Sequence, residues 1–241
     1  MRSLPGFALL LFMVTRIAAS DTPVAEENFI SLFDGRSLDG WKAGENAETF
    51  SVRDGAIAMD YNATNHHPGH LFYVGDVNHH DFKNFDLKVD VMTYPHANSG
   101  IYFHCKYQEA GWPGFGIECQ VNNSHKDWVR TGSLYDIKSL TWGPATPPKN
   151  FQGDVTVFQQ PPVTDNAWYT QEIICKNGQV AGKLNAKTVL EYTVADADKE
   201  HRITKMTWLP RGTFALQGHP PEKGHSSKAS FKNIRVKPLP D

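Results

Sequence analysis

The sequence predicts an all-β protein, a β-sandwich of jelly-roll type in which two packed antiparallel sheets enclose a core and leave a concave groove. Many short segments alternate apolar and polar residues, and Gly, Pro and Asn turns separate them. No stretch keeps helical periodicity over three turns. The chain has 241 residues and is 40% hydrophobic, enough for one large core. We therefore expect one sandwich domain over residues 21–241.

Turn residues and alternation place the strands in order along the chain. Asp54-Gly55 marks a tight hairpin, and Asn177-Gly178 is typical of a type I′ turn. The proline-rich stretch 138–164 is interpreted as a long loop with one short strand. The strands are expected at 29–33, 49–52, 56–59, 70–74, 85–93, 98–105, 114–121, 155–158, 168–176, 179–184, 189–194, 213–217 and 231–237.

The segments 98–105 and 114–121 are expected to pair as a hairpin, because the connector holds Gly111 and Pro113. Alternation then gives the hairpin a buried face made of Ile101, Phe103, Cys105, Ile117, Cys119 and Val121. The opposite face carries Tyr102, His104, Glu118 and Gln120. A phenol, an imidazole, a carboxylate and an amide on rigid backbone suit sugar binding or acid/base chemistry.

The first twenty residues resemble a secretory signal. Arg2 precedes the apolar run 7–14, and small residues at 18–20 precede Asp21. A buried N-terminal helix is the alternative, and the run is too short to span a membrane. We therefore expect residues 1–20 to be removed and the protein to be exported, to the periplasm or the medium.

Composition limits the partners. The formal net charge is −2, which implies no general attraction to nucleic acid or to an anionic membrane. The six Trp and eight Tyr offer flat faces for stacking on sugars. The expected partner is thus an oligosaccharide or glycoside, and the lack of an obvious apolar edge strand favours a monomer.

The three cysteines leave at least one thiol unpaired. Cys105 and Cys119 are expected to be neighbours on the buried face, either as a disulfide or as two free thiols. Cys175 is interpreted as a strand thiol. The sequence has no Cys-x-x-Cys pair, so a structural zinc knuckle is not expected.

Six segments, taken together and in order, resemble the 3-keto-disaccharide hydrolase family. They are 29–42, 98–103, 116–120, 131–135, 215–219 and 231–239. The resemblance implies a concanavalin A-like β-sandwich of the lectin and glucanase type, bacterial export, and action on sugars oxidised at carbon 3. The sequence departs from the family pattern at His104, where members often have Arg, at Cys119, and in the longer loop 220–228.

The chemistry that the resemblance implies is elimination followed by hydration. The ketone acidifies the proton on carbon 2, a base removes it, and the enolate expels the glycosidic oxygen from carbon 1. Such an enzyme needs one base, an acid for the leaving oxygen, and a donor or divalent metal for the enolate. It does not need two flanking carboxylates, and the triplet 118–120 has an amide in the second place.

Candidate roles follow from this chemistry, each beside a plainer structural role. Glu118 is the candidate general base or metal ligand, or else a carboxylate paired with Lys or Arg. His104 is a candidate base or metal ligand, and His219 is a second candidate base. The candidate substrate-binding residues are Tyr102, Trp112, Gln120, Arg130, Tyr135, Trp142 and Gln217. The alternative for Arg130 is a surface salt bridge, and the others could instead serve packing or cross-strand pairing.

The segment 66–81 is rich in histidine but has no standard metal-ligand spacing. It comprises His66, His67, His70, His79, His80 and Asp81. A solvated loop and a metal- or substrate-binding loop are both open interpretations. His70 and Asp76 are expected nearest to the groove.

Two functions from different classes fit these features. The first is an exported enzyme that cleaves 3-keto-glycosides, with or without a divalent metal. The second is a non-catalytic carbohydrate-binding sandwich that uses the same groove and its tryptophans. A structural envelope domain with a vestigial groove is a third, weaker interpretation.

Overall fold

The computed structural model describes residues 28–61, 64–143, 147, 149, 151, 153–194 and 206–241, so the expected signal segment 1–20 lies outside the described residues. The strands are β1 Ile30–Ser31, β2 Trp41–Ala43, β3 Phe50–Arg53, β4 Ala56–Tyr61, β5 Gly69–Tyr73, β6 Phe85–Thr93, β7 Ser99–Cys105, β8 Ile117–Val121, β9 Lys138–Trp142, β10 Asp154–Phe158, β11 Tyr169–Lys176, β12 Gln179–Leu184, β13 Lys187–Thr193, β14 Thr213–Gly218 and β15 Ser227–Pro238.

Two antiparallel sheets account for most of the described strands, which confirms the predicted sandwich. The large sheet has the order β13-β12-β11-β6-β15-β4-β3, with β1 paired to β15. The small sheet has the order β2-β5-β14-β7-β8. Short 3₁₀ helices occur at Ala47–Thr49 and Val77–His80. No helix in the described part of the chain has the length and apolar character needed to cross a bilayer.

The core forms where alternating strands turn one face inward. In β6 every second residue, from Phe85 to Thr93, is buried, and the residues between are only partly buried. Phe82, Phe85 and Phe214 join the two sheets, since Phe214 stacks on Phe82 at 4.6 Å and meets the edge of Phe85 at 4.9 Å between ring centroids. Aromatic pairs in these arrangements add to the energy of burial.

The predicted Asn177-Gly178 turn is confirmed. Asn177 has φ 51° and Gly178 has φ 78°, which is the left-handed backbone that a type I′ turn requires. Lys176 pairs with Gln179 across this turn. The hairpin is therefore closed by two residues, and its register follows from the turn.

Residues 138–142 form a strand where the sequence suggested a loop. β9 pairs in parallel with β10, and Lys138 lies opposite Asp154. Ser139, Leu140 and Thr141 are all buried, so this strand lacks the alternation that would have revealed it. The other strand that the sequence analysis missed, β2, is only three residues long.

A bulge near the end of β7 changes which way its last side chains point. Tyr102 lies opposite Ala215 and Cys105 opposite Thr213, so β7 has one residue more than β14 between these pairs. His104 has φ 53°, a left-handed conformation that breaks the pleat. Alternation after residue 103 is therefore shifted by one.

The predicted faces of His104 and Cys105 are consequently wrong. Cys105 packs with Phe72, Tyr102, Met206 and Ala215 on the groove side. His104 turns toward the core edge, where its ring meets Phe85 and Trp208. Cys105 and Cys119 thus lie on different faces, and all three cysteines are free and buried.

Candidate functional site

A pocket of about 360 Å³ opens on the polar face of the small sheet. This volume lies at the lower end of the range for small-molecule sites. Strands β7, β8 and β14 form its floor, and the segments around 112, 127, 206 and 219 form its walls. It is lined by Asn98, Tyr102, Trp112, Glu118, Gln120, Asp127, Tyr135, Met206, Gln217 and His219.

Hydrogen-bond donors from β7 and β14 hold the Glu118 side chain at the floor of the pocket. Tyr102 lies directly opposite Glu118 in the register, and its hydroxyl donates to Oε2 at 2.8 Å. The Gln217 amide on β14 donates to Oε1 at 3.0 Å and to the Tyr102 hydroxyl at 2.8 Å. The three side chains thus form one buried hydrogen-bonded network.

Gln120 completes this network from the same strand as Glu118. In the orientation that satisfies its neighbours, its amide nitrogen donates to Glu118 Oε1 and to the Ser99 carbonyl oxygen, each at 3.0 Å. Gly100 lies opposite Gln120, and a Cβ on this glycine would stand 2.8 Å from Glu118 Cγ. The absence of a side chain at position 100 therefore makes room for the carboxyl group.

Burial raises the pKa of Glu118 from 4.5 to about 8, although the hydrogen bonds from Tyr102 and Gln217 favour the charged form. Only 5% of the residue is exposed. The raised pKa favours the protonated carboxyl group at neutral pH in the free site, and in that form Glu118 donates to the Tyr102 hydroxyl oxygen across the same 2.8 Å contact. A protonated carboxyl group in a pocket can act as an acid.

This raised pKa predicts a pH-dependent stability term. A carboxyl group whose pKa rises on folding stabilises the native state fully below its unfolded pKa, and this contribution is lost as pH rises through the folded pKa. In Glu118→Gln the term is absent. The unfolding free energy of the variant, relative to wild type, should therefore increase between pH 4.5 and about pH 8, by on the order of a few kcal/mol.

Urea unfolding of both proteins at several pH values measures this term. If the unfolding free energies of the two proteins differed by the same amount at every pH, folding would not raise the pKa of Glu118. Glu191→Gln is the control for the substitution itself, because Glu191 is exposed and lies in β13 of the large sheet, outside the buried network of Glu118.

His219 lies in the pocket as a neutral imidazole with one nitrogen available. Its Nδ1 lies 2.6 Å from the Pro220 carbonyl oxygen, and a proton on Nδ1 makes this a hydrogen bond. Burial lowers the pKa of His219. The lone pair of Nε2 is then free to accept a proton, as a base requires.

Aromatic rings form one wall of the pocket. Trp112 is 50% exposed, and its ring centroid is 5.4 Å from that of His219 and 6.0 Å from that of His70. His70 also meets the edge of Tyr102 at 5.3 Å, and burial lowers the pKa of His70 to about 3. His70 is therefore a neutral ring that supports Trp112 and Tyr102.

Sequence reasoning missed Asp127, which lines the pocket. Its Oδ2 accepts a long hydrogen bond of 3.4 Å from the Tyr135 hydroxyl. The Arg130 guanidinium donates to the carbonyl oxygens of His125 and Asp127 at 2.7 and 2.6 Å. Arg130 thus shapes this loop and is not among the lining residues. The polar run that directly follows β8 was the available signal.

The structure brings together most of the candidate residues. Those that line the pocket are Tyr102, Trp112, Glu118, Gln120, Tyr135, Gln217 and His219. Arg130, Trp142 and His104 lie outside it. Trp142 ends β9 and packs against the edge of Phe158 at 5.7 Å.

His104 does not join Glu118, contrary to the sequence-based expectation. Its Nε2 lies 3.0 Å from the Lys83 carbonyl oxygen, on the other face of the small sheet. The two side chains therefore cannot share a metal ion.

Of the histidine-rich segment 66–81, only His70 contacts residues that line the pocket. His67 Nδ1 lies 2.8 Å from Glu45 Oε1, and both His66 and Asp76 are exposed. The expectation that Asp76 borders the groove is wrong, since it stands before the second 3₁₀ helix and does not line the pocket.

Comparisons with known proteins agree with this architecture. The sequence profile of the 3-keto-alpha-glucoside-1,2-lyase-like domain matches residues 28–237. A curated protein of Bacteroides thetaiotaomicron, named 3-keto-disaccharide hydrolase, is 24% identical over 256 aligned residues, which cover 90% of this chain and 80% of that protein.

Solved structures show the same fold. A protein of Parabacteroides distasonis described as a glycosyl hydrolase superposes with a TM-score of 0.64 at 21% identity, over 89% of this chain and 95% of that one. A carbohydrate-binding module, CBM66, from Bacillus subtilis superposes with a TM-score of 0.51 at 11% identity, over 82% and 95% of the two chains. At these identities the likeness concerns the sandwich fold alone.

Proposed function

Because the chain belongs to the family of 3-keto-alpha-glucoside-1,2-lyase-like domains, we propose that it cleaves glycosides whose sugar carries a ketone at carbon 3. The relative named 3-keto-disaccharide hydrolase supports this substrate class. The observation that carries the proposal is the buried Glu118, tied to Tyr102, Gln217 and Gln120 in the pocket that also holds His219.

The elimination step uses the two groups whose pKa values move in opposite directions. His219 Nε2 accepts the proton from carbon 2, and the resulting enolate expels the glycosidic oxygen from carbon 1. Glu118 supplies the proton that this leaving oxygen needs. Burial keeps the imidazole neutral and the carboxyl protonated, which is the state that the step requires.

Hydration then restores both groups. Water adds its oxygen to carbon 1 of the unsaturated sugar while Glu118 takes the water proton. The proton on His219 Nε2 exchanges with the solvent that enters for the hydration, and the imidazolium then protonates carbon 2. The net reaction is hydrolysis, and each residue ends in the protonation state in which it began.

The enolate oxygen at carbon 3 needs a stabilising partner. The Tyr135 hydroxyl lines the same pocket, and because its hydrogen bond to Asp127 is long at 3.4 Å, it can turn to donate to this oxygen. A divalent metal with Glu118 as one ligand is the alternative stabiliser. An assay with and without a chelator distinguishes stabilisation by a protein donor from stabilisation by a metal.

Solvent deuterium tests the reaction course directly. A 3-keto-disaccharide and its unoxidised parent are incubated with the protein in D₂O, each with and without a chelator. Elimination and hydration place deuterium on carbon 2 of the released 3-keto sugar, whereas direct displacement at carbon 1 leaves protium there. The released sugar alone in D₂O is the control for spontaneous exchange. Product without carbon-2 deuterium would contradict the proposed course.

A carbohydrate-binding function without catalysis is the second candidate, and the half-exposed Trp112 favours it. An apolar ring at the mouth of a polar pocket is typical of sugar stacking. Saturable glycan binding with no product from either substrate would support this function over the enzyme.

Both functions predict that Trp112→Ala weakens substrate binding. Loss of the stacking face should raise KM about tenfold, with a smaller change in kcat. Steady-state kinetics, or titration calorimetry in the absence of turnover, measures the effect. Trp168→Ala is the matched control, because Trp168 is 40% exposed, contacts the Lys232 amine and does not line the pocket. Equal KM values for Trp112→Ala and Trp168→Ala would show that Trp112 does not contact the substrate.

The expected location and assembly also belong to this proposal. Residues 1–20 direct the chain out of the cytoplasm and are then removed, and the mature protein acts as a monomer. N-terminal sequencing of the exported protein and light scattering measure these two properties.

A further inference from the structure

We infer that His96, Glu222 and His225 bind a divalent transition metal of the zinc class at the rim of the pocket. Their ligand atoms all lie within 4.8 Å of one another. Among the described residues, no other group of three or more His, Cys, Asp or Glu side chains comes this close together. Two imidazoles and one carboxylate are a common protein ligand set for zinc, and water fills the fourth position.

The positions of the two rings determine how the site must adjust to accept an ion. The His96 and His225 rings are nearly parallel, with centroids 3.8 Å apart and planes 25° apart. Zinc lies about 2.0–2.1 Å from each imidazole nitrogen or carboxylate oxygen. Stacked rings aim their nitrogen lone pairs side by side, so both imidazoles must turn about their side-chain bonds to point at one ion. His96 is only partly buried and His225 is exposed, which leaves room for this turn.

Glu222 is already positioned by contacts outside the metal group. Its Oε1 accepts a hydrogen bond of 2.6 Å from the Lys126 backbone N–H. The same oxygen lies 3.5 Å from His125 Nε2. These contacts engage one carboxylate oxygen, which leaves Oε2 for the metal. Such outer contacts orient a metal ligand before the ion binds.

The two histidines are also held by their backbones. The His96 N–H donates to Ser124 Oγ at 2.9 Å. The His225 N–H donates to the Glu222 carbonyl at 3.0 Å, which closes a turn between these two ligands. The flanking segments meet at Asn98 and Ser227, where the Ser227 hydroxyl donates to the Asn98 carbonyl at 3.1 Å. The ligands therefore come from segments already in contact.

An ion bound here would hold the loop 219–225, which begins at the pocket, against the segment that carries His96. His219 lies at the start of this loop, and Glu222 follows three residues later. The His125 ring is 5.8 Å from the His219 ring and also contacts Glu222. Neither Glu222, His96 nor His225 lines the pocket. The ion would thus lie outside the pocket, and it would position the wall that carries His219.

Zinc titration of the chelator-treated full chain tests this inference. We expect calorimetry to show one strong site and a rise in Tm with bound zinc. His96→Asn and His225→Asn should each lower zinc affinity by about 100-fold or more. Co²⁺ in place of zinc should give the visible absorption of a tetrahedral site in wild type and lose it in both variants.

Asparagine is the chosen replacement because His96 has φ 65°, where Asn is tolerated. His66→Asn is the matched control, since His66 is exposed, has φ 57° and is outside the group. Absence of zinc uptake by wild type, or equal uptake by the three variants, would overturn the inference. A catalytic ion held by Glu118 would still bind to the His96 and His225 variants, so the two metal hypotheses are distinguishable.

Discussion

Glu118→Gln should retain the fold and lose most of its turnover. The amide has nearly the shape of the protonated carboxyl group but cannot supply or accept the proton that the proposed reaction moves. We expect kcat to fall by about 100-fold to 10,000-fold, which is the usual range for loss of a general acid or base. Steady-state kinetics on a 3-keto-disaccharide measures the loss, and circular dichroism confirms the fold.

Glu172→Gln distinguishes a chemical effect from the effect of changing any buried carboxylate. Glu172 is 7% exposed and Glu118 is 5% exposed, but Glu172 lies in the large sheet. The control variant should keep wild-type kcat. Turnover by Glu118→Gln within a few-fold of wild type would show that Glu118 does not transfer the proton.

Gly100→Ala should disrupt the site by displacing the same carboxyl group. A Cβ at position 100 would lie 2.8 Å from Glu118 Cγ and 2.9 Å from its Cδ, closer than atoms in contact allow. The Glu118 side chain can retreat only by giving up hydrogen bonds to Tyr102 and Gln217. We expect a loss of about 1–3 kcal/mol in unfolding free energy and of about 100-fold in kcat/KM.

Gly182→Ala is the matched control for this prediction. Gly182 also lies within a strand, in β12, but the nearest atom to a Cβ there is Leu190 Cβ at 3.5 Å, an ordinary contact distance. This variant should keep wild-type activity. An active and stable Gly100→Ala protein would show that the floor of the pocket tolerates a shifted carboxyl group, against the tight network described above.

The large sheet could be predicted well because its signals are local. The expected strand 85–93 coincides with β6, and the alternation in it depends only on which face meets the core. The Asn177-Gly178 turn is likewise specified by two residues that adopt left-handed backbone. Neither feature needs information from a distant part of the chain.

The site could be predicted in part. Tyr102, Glu118 and Gln120 share a face because β7 and β8 alternate regularly up to Phe103. His104 was misplaced because the bulge arises from the pairing of β7 with β14, more than a hundred residues later. Trp142 was misplaced because β9 carries no alternation and takes its parallel partner from β10.

The sequence by itself determined the all-β class, the hairpin turns and the polar face that holds Glu118, since each depends on near neighbours and on the two-residue period of a strand. The tertiary structure alone decided which distant groups meet that face. Gln217, His219, Trp112 and Asp127 reach the pocket from separate segments, and the burial that shifts the pKa of Glu118 exists only after they assemble.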